Sequence, residues 1–390
     1  MIFGSGRRCD TVVVGGGLTG CAAAYELARA GVDVLLVDRG SLNAEASGRN
    51  AGGFHVQIQF EPFAVEGEEW ARSWAPSTIP LLIGAVERWQ ELTAELGVDL
   101  EVKLSGGLLA AETDEELAAI ERKAAVERAA GLEVELLTRA DLRRVAPYVS
   151  ERMAGGLLCP LEGKANPLLA GPAFASAARA HGARLEVGVE LNAIEQTSNG
   201  FRIETSKGPI ECERIVDCAG VAAGEVSALV GAPLPIENWP LQAHVTEAVA
   251  PLVRHLVYFA GERLTLKQAA AGSILIGGGW PSEVDPETGR PTVSLESLQA
   301  NLRVARHVVP ALAHVRLLRI WTGACNGTPD HRPILGELEG VPGFFIAAFP
   351  FLGFTAAPLM GRLVADLSRG RGIPYDLAPF AAARFAPAAS

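Results

Sequence analysis

A short β-branched run, Thr11-Val12-Val13-Val14, leads straight into Gly15-Gly16-Gly17-Leu18-Thr19-Gly20 and then into a small-residue helix from Cys21 to Ala30. Gly31 stops that helix, and Asp33-Val34-Leu35-Leu36-Val37-Asp38 reads as a second buried strand. Two strands joined by one helix must form a right-handed parallel βαβ unit, and nothing else in the chain restricts the fold as tightly. Gly15, Gly17 and Gly20 fit G-x-G-x-x-G between strand and helix. The first glycine permits the turn, the second admits a pyrophosphate close to backbone, and the third lets helix and strand pack closely. The helix N-terminus, including Leu18 and Thr19, offers free N–H groups and a positive dipole end to phosphate. Asp38 lies 18 residues beyond Gly20, at the end of the second strand, where its carboxylate can accept from ribose hydroxyls. The same acid disfavours a 2′-phosphate, so NADP is not the expected cofactor, while FAD and NAD share this start.

The 390 residues suit two interleaved domains. With 49% hydrophobic and 20% charged residues the composition is that of an ordinary globular enzyme. A net charge of -11 argues against a nucleic-acid partner, which makes an FAD-dependent tRNA-modifying role a poor fit. The six cysteines are scattered without a CxxC pair, so they read as reduced and structural, and no metal site is expected. No signal peptide or membrane-length apolar run is visible, and the expectation is a soluble, cytoplasmic protein.

Further along, Ser47-Gly48-Arg49-Asn50-Ala51-Gly52-Gly53 is too glycine-rich for a surface helix and reads as a loop approached by ligand. Helical spacing is clear from Ile79 to Leu96, from Asp114 to Ala130 behind a Thr113 cap, from Pro167 to His181 and from Leu295 to Val309. Val102 to Ala111 reads as a strand. Leu191 to Gln196 and Gly200 to Thr205 read as a hairpin-like pair, Arg214 to Gly220 as a strand ending in a turn, and Leu241 to Gly279 as antiparallel sheet. Phe344 to Ala348 is a late buried strand and Ala356 to Ser368 a final helix.

Taken together these motifs resemble the D-amino-acid-oxidase-like FAD oxidoreductases. The resemblance rests on Val12 to Gly20 with Asp38, on Ala46 to Gly53, on Ile215 to Gly220, and on Gly327 to Gly336 followed by Phe345 to Gly361. In detail, Glu162 to Pro167 and Leu264 to Gln268 look most like the opine-oxidase and hydroxyproline-dehydrogenase flavin subunits. The resemblance implies an α/β (α+β composite) fold: a GR2-type FAD-binding, Rossmann-like domain with an antiparallel-sheet substrate domain. The expected cofactor domain is discontinuous, 1–80, 150–231 and 322–390, and the substrate domain comprises 81–149 and 232–321. It also implies that Ser47 to Gly53 line the flavin, that Val189 meets the adenine through backbone, and that Ala219 and Gly220 lie near the pyrophosphate. Leu352, Gly353, Phe354 and Thr355 fall near the pyrimidine end of the flavin; Arg39 and Arg332 complete the expected FAD contacts. Cys325 sits near, not at, the place where some members attach flavin, so noncovalent FAD is expected.

The chemistry this implies is hydride transfer from the carbon beside an amine nitrogen to flavin N5. Candidate substrate contacts are His55 and Gln57, on alternating positions of an expected strand, with His244, Tyr258, Lys267 and Trp280. Two basic residues that hold substrate carboxylate in sarcosine-oxidase-like members fall here at Gln57 and Thr355. A lysine that promotes reaction with oxygen there falls near Leu275. These departures favour a dehydrogenase that passes electrons to a partner subunit or quinone, or an unusual substrate such as an opine or cyclic imino acid. The alternatives are a flavin subunit with little activity alone and an NAD-dependent dehydrogenase.

Overall fold

A computed structural model describes residues 7–385. Its first layer is an eight-stranded sheet. Five strands run parallel in the order Phe344–Ala348, Ile210–Asp217, Arg7–Val14, Val34–Asp38 and Arg184–Val187, and Ile334–Glu337 joins antiparallel at the edge. Every residue from Val12 to Val14 and from Val34 to Val37 is buried, as expected of parallel strands covered on both faces. On one face the helix Leu18–Arg29 packs between Pro167–Ala180 and Gly353–Ser368, and its run of alanines allows that close approach. The hairpin Leu191–Thr197 and Gly200–Thr205 extends the sheet through Ile210–Asp217.

A second eight-stranded sheet runs Leu317–Gly323, Leu241–Ala248, Ser273–Gly277, Thr265–Gln268, Leu256–Phe259, Gly107–Ala111, Gly155–Cys159 and Glu135–Thr138. The antiparallel expectation holds for every pair but one: Leu256–Phe259 lies parallel to Gly107–Ala111. Those two strands come from separate excursions of the chain, so no hairpin dictates their direction. Gly155–Cys159, expected with the cofactor segments, is paired inside this second sheet instead.

Three local readings are corrected. Ala46–Arg49 forms one turn of helix before the loop resumes at Asn50. The strand expected from Val102 begins only at Gly107. The helix expected from Ile79 begins at Phe60 and runs to Leu96, interrupted at Gly67 with φ +83°. Pro76 obscures its first half, because it removes a backbone donor, while Pro80 falls inside the stretch whose spacing is already helical. Burial of Ala71, Trp74, Ala75, Thr78 and Ile79 against the core outweighs that loss.

Candidate active site

One cavity of about 1410 Å³ runs from the carboxyl ends of the parallel strands to the face of the second sheet. Ligand pockets commonly occupy roughly 300–1,000 Å³, so this one has room for an extended dinucleotide and a substrate together.

At the sheet end the glycine-rich turn behaves as its spacing predicts. Gly15 has φ +100°, and a side chain there would come within 2.5 Å of the Cys218 carbonyl oxygen. Gly20 does not line the cavity; its bare α-carbon packs against the Gly15 carbonyl, which is the helix–strand role expected of the third glycine. The Asp38 carboxylate accepts from the N–H groups of Gly16 and Gly40, both at 2.6 Å, which fixes it at the cavity wall. Arg39 lines the wall beside it and pairs loosely with Glu225 at 3.8 Å. Val189 also lines this end, its N–H already bonded to the Asp38 carbonyl at 2.9 Å.

The middle of the cavity is built mainly from backbone. Ser47 Oγ accepts from Leu18 N–H at 2.8 Å, tying the short Ala46–Arg49 turn to the start of the first helix. Asn50 bonds back to the Ser47 carbonyl and accepts from Gly52 N–H, both at 2.8 Å, so the loop braces itself. Arg49 is held by the Ala44 carbonyl and by Trp321, whose indole donates to the Arg49 carbonyl at 2.6 Å. Ser47, Arg49, Asn50, Ala51, Gly52 and Gly53 line the cavity, as do Thr19, Ala219 and Gly220. Gly48 instead packs against the Asn43 carbonyl. Leu352 to Thr355 also line it, and the Gly353–Ser368 helix starts there with no side-chain cap, so its positive end faces the space. Glycine backbone, a fixed acid and two helix starts whose N-cap residues, Gly17 and Leu352, supply no side-chain cap are the groups that a phosphate- and ribose-bearing, partly anionic cofactor requires.

The far end is built from side chains. His55 and Gln57 do not alternate on a strand; the strand there is only Gly53–Phe54. Thr355 Oγ1 accepts from the His55 N–H at 3.0 Å and pulls the chain out of the ladder. The His55 ring bonds Tyr258 Oη through Nδ1 at 2.8 Å. Burial first, then the nearby Lys267 charge, lower its pKa to about 3. Lys267 is 3% exposed, and burial and the like charge of Lys164 lower its pKa to about 7. Among the described residues no carboxylate lies within salt-bridge distance of its ammonium group. A side chain on Gly53 would begin 2.7 Å from His55 Nε2 and 3.3 Å from Lys267 Nζ, so both groups converge on that glycine. Leu275, near which a lysine of sarcosine-oxidase-like members falls, is the cross-strand partner of Lys267, so the adjacent strand supplies a cation on the same face as Leu275.

Gln57 lies deeper, bonded to Glu162 Oε2 at 2.9 Å and to Lys123 Nζ at 3.3 Å. Lys123 in turn pairs with Glu127 at 2.6 Å, both fully buried. Burial raises the Glu127 pKa. From sequence, Glu162 stands out only as the start of the Glu162 to Pro167 stretch that carries the resemblance, not as a site residue, and the Lys123–Glu127 pair does not stand out at all. The available signal was two opposite charges four residues apart on the face of the Asp114–Ala129 helix that also carries Ile120 and Ala124.

Three candidates leave the site. His244 is fully buried, facing the Leu295–Val308 helix from the opposite side of the second sheet, next to Asn301. Successive residues of a strand alternate faces, and Ala243 is the one that lines the cavity. Trp280 donates to the Arg263 carbonyl at 2.9 Å and packs on the second-sheet core, outside the cavity lining. Arg332 turns toward the long helix, donating to Ser73 Oγ at 2.6 Å, because His331 with φ +57° takes the cavity side of that turn.

The model of the family described as FAD dependent oxidoreductase matches residues 10–367. Glycine oxidase of Geobacillus kaustophilus is 29% identical over 97% of each chain, and its crystal structure superposes with a TM-score of 0.86 over 98% of this chain and 100% of that one. An opine oxidase subunit of Rhizobium meliloti is 28% identical, covering 96% of this chain and 97% of its own. The structure of L-proline dehydrogenase from P. horikoshii matches with a TM-score of 0.85 at 26% identity, over 97% and 98% of the two chains.

Proposed function

The chain belongs to the FAD-dependent oxidoreductase family, and on that premise we propose that it oxidises the carbon–nitrogen bond of an amino or imino acid. Bound FAD supplies the electron sink for the hydride that leaves the carbon beside nitrogen. The glycine turn, Asp38, Val189 and the Ser47–Gly53 loop would hold the cofactor noncovalently, and the uncapped Gly353–Ser368 helix start would stabilise negative charge on its reduced flavin. Cys325 lines the cavity, but burial pushes its thiol up to about 12, which leaves it a poor nucleophile for attachment. On this reading 1–80, 150–231 and 322–390 form the cofactor domain, with Gly155–Cys159 assigned to the substrate domain of 81–149 and 232–321.

The observation that carries the substrate class is Lys267. A buried ammonium without a carboxylate of its own calls for an anion from outside, and it sits where the flavin loop ends. It replaces, from a different strand, the cations missing at Gln57 and Thr355. The substrate is therefore an amine bearing a carboxylate, held by Lys267 with its nitrogen toward His55. The NAD-dependent alternative is set aside by the family match.

Anaerobic mixing of the purified holoenzyme with glycine, sarcosine, proline, hydroxyproline, D-amino acids and opines tests this. Bleaching of the flavin absorbance by one of these acids, and not by its amide or decarboxylated analogue, is the expected result. Equal bleaching by the uncharged analogue overturns the role of Lys267. A second reading, a flavin chain that turns over only with partner chains, is favoured by the similarity to the opine oxidase subunit. Bleaching without turnover on artificial acceptors or oxygen would support it.

A further inference from the structure

We propose that Glu162, acting through Tyr258 and His55, receives the proton that the substrate's ammonium nitrogen loses before its carbon releases a hydride. This rests on the amino-acid reading above and adds a path for the proton.

The directions of the hydrogen bonds carry the argument. Glu162 is fully buried and its carboxylate meets four donors. Oε1 accepts the backbone N–H groups of Val56 at 2.6 Å and Gln57 at 2.8 Å, which can only donate. Oε2 accepts Gln57 Nε2 at 2.9 Å. That amide cannot turn over, because Lys123 Nζ, a donor only, faces its Oε1. The fourth donor is Tyr258 Oη at 2.9 Å. A phenol has one hydrogen, and here Glu162 takes it. The His55 Nδ1 contact to the same oxygen must then be Nδ1–H donating to Tyr258. His55 is thereby fixed in one neutral tautomer, with the Nε2 lone pair presented to the cavity above Gly53. Gly107 makes the arrangement sterically feasible, since any side chain there would fall on the Glu162 carboxylate.

The surrounding charges decide where a proton rests. Lys267 faces the ring from the second sheet, with Lys164 behind it; beyond Glu162 lie Lys123, Glu127 and Cys159. Burial and Lys267 make His55 too weak a base to keep a proton, whereas burial raises the pKa of Glu162. In the step itself the substrate N–H bond breaks and its proton goes to His55 Nε2. The proton on Nδ1 passes to Tyr258 Oη, and the original phenolic proton passes to Glu162 Oε2. The nitrogen keeps its electron pair, His55 emerges neutral in the other tautomer, and one carboxylate is neutralised. The amine lone pair then drives the hydride from the adjacent carbon. When product leaves, water at Nε2 takes the proton back along the same path.

Stopped-flow bleaching across pH, with the acid that reduces the wild-type holoenzyme fastest, tests the relay in Tyr258→Phe and Glu162→Gln. At pH 7 both variants should be slower by roughly 10²-fold. The deficit should close by about tenfold per pH unit toward the substrate's ammonium pKa, where free amine needs no acceptor. A wild-type profile, or a deficit of the same size at every pH, overturns the proposal. Should Glu162→Gln fail to fold, Tyr258→Phe still carries the test, because it leaves the carboxylate's other donors in place. A second readout uses α-aminoisobutyrate, which has no hydrogen on its α-carbon to give up. Its binding at pH 7 should raise a protonated-carboxyl infrared band in wild type and none in Tyr258→Phe; no band in wild type overturns the relay. If no amine bleaches the wild-type flavin, the amino-acid reading fails instead.

Discussion

The two ends of the cavity are made of different material. The sheet end is a sequence of local devices: a turn, a helix start and an acid within the first forty residues, using backbone N–H groups and the absence of side chains. The far end is assembled from His55, Lys123, Glu162, Tyr258 and Lys267, which meet only because two sheets and a helix are docked together. The first end resists chemical variation because backbone is common to all residues. The second end carries charges in a buried setting, where each depends on its neighbours, and there specificity can change by a single substitution.

That contrast predicts a ranking. The largest effect should come from Lys123→Met, which leaves the fully buried Glu127 without its cation; breaking a buried pair costs about 3–5 kcal/mol, read as lost stability in urea denaturation. A neutral result would mean that Glu127 takes up a proton at little cost. Next, Gly20→Ala puts a methyl group on the Gly15 carbonyl. It should cost roughly 1–3 kcal/mol and lower the flavin retained through gel filtration. Full retention would show that the turn can shift and that the cradle is less rigid than its contacts imply.

Lys267→Met should act on binding instead of folding. Loss of a charged hydrogen bond of about 2 kcal/mol raises KM for the acid substrate by roughly 30-fold, while thermal stability holds or rises. The pH dependence sharpens this. The folded-state pKa of Lys267 lies at about 7, below the ordinary lysine value, so between the two the unfolded chain binds the extra proton and folding stability rises with pH. Carboxylate affinity runs the other way, strong below pH 7 and fading above it. Both trends should be absent in Lys267→Met, as calorimetric titration with pyrrole-2-carboxylate and denaturation across pH 6 to 10 would show. The smallest effect is Thr113→Ala, which removes the capping box of the helix bearing Lys123 and Glu127; about 1 kcal/mol of stability should go, with flavin content unchanged.

The same contrast explains what could be read before the structure. The expected turn, Asp38, the Ser47–Gly53 loop, Val189 and Leu352 to Thr355 all reach the cavity, Gly20 and Gly48 excepted because they pack instead of lining it. Among the substrate candidates His55, Gln57, Tyr258 and Lys267 reach it, while His244 and Trp280 do not. For His244 the deciding fact is strand parity, which a one-residue difference in register inverts. Arg332 failed for a similar reason, its side chain turned outward by the left-handed backbone at His331. No helix among the described residues is long and apolar enough to cross a membrane.

By itself, the sequence determined the parallel βαβ unit and its dinucleotide turn, because strand, glycine spacing and terminal acid are all read within one crossover. Only the tertiary structure decided the proton path and the burial of Lys267 away from any carboxylate. Glu162 is an ordinary carboxylate in the chain, between Leu161 and Gly163. It becomes the floor of a site when Val56, Gln57 and Tyr258, from segments about a hundred residues away on either side, aim their donors at it. Hydrogen-bond direction and desolvation are properties of that meeting, and no local pattern encodes them.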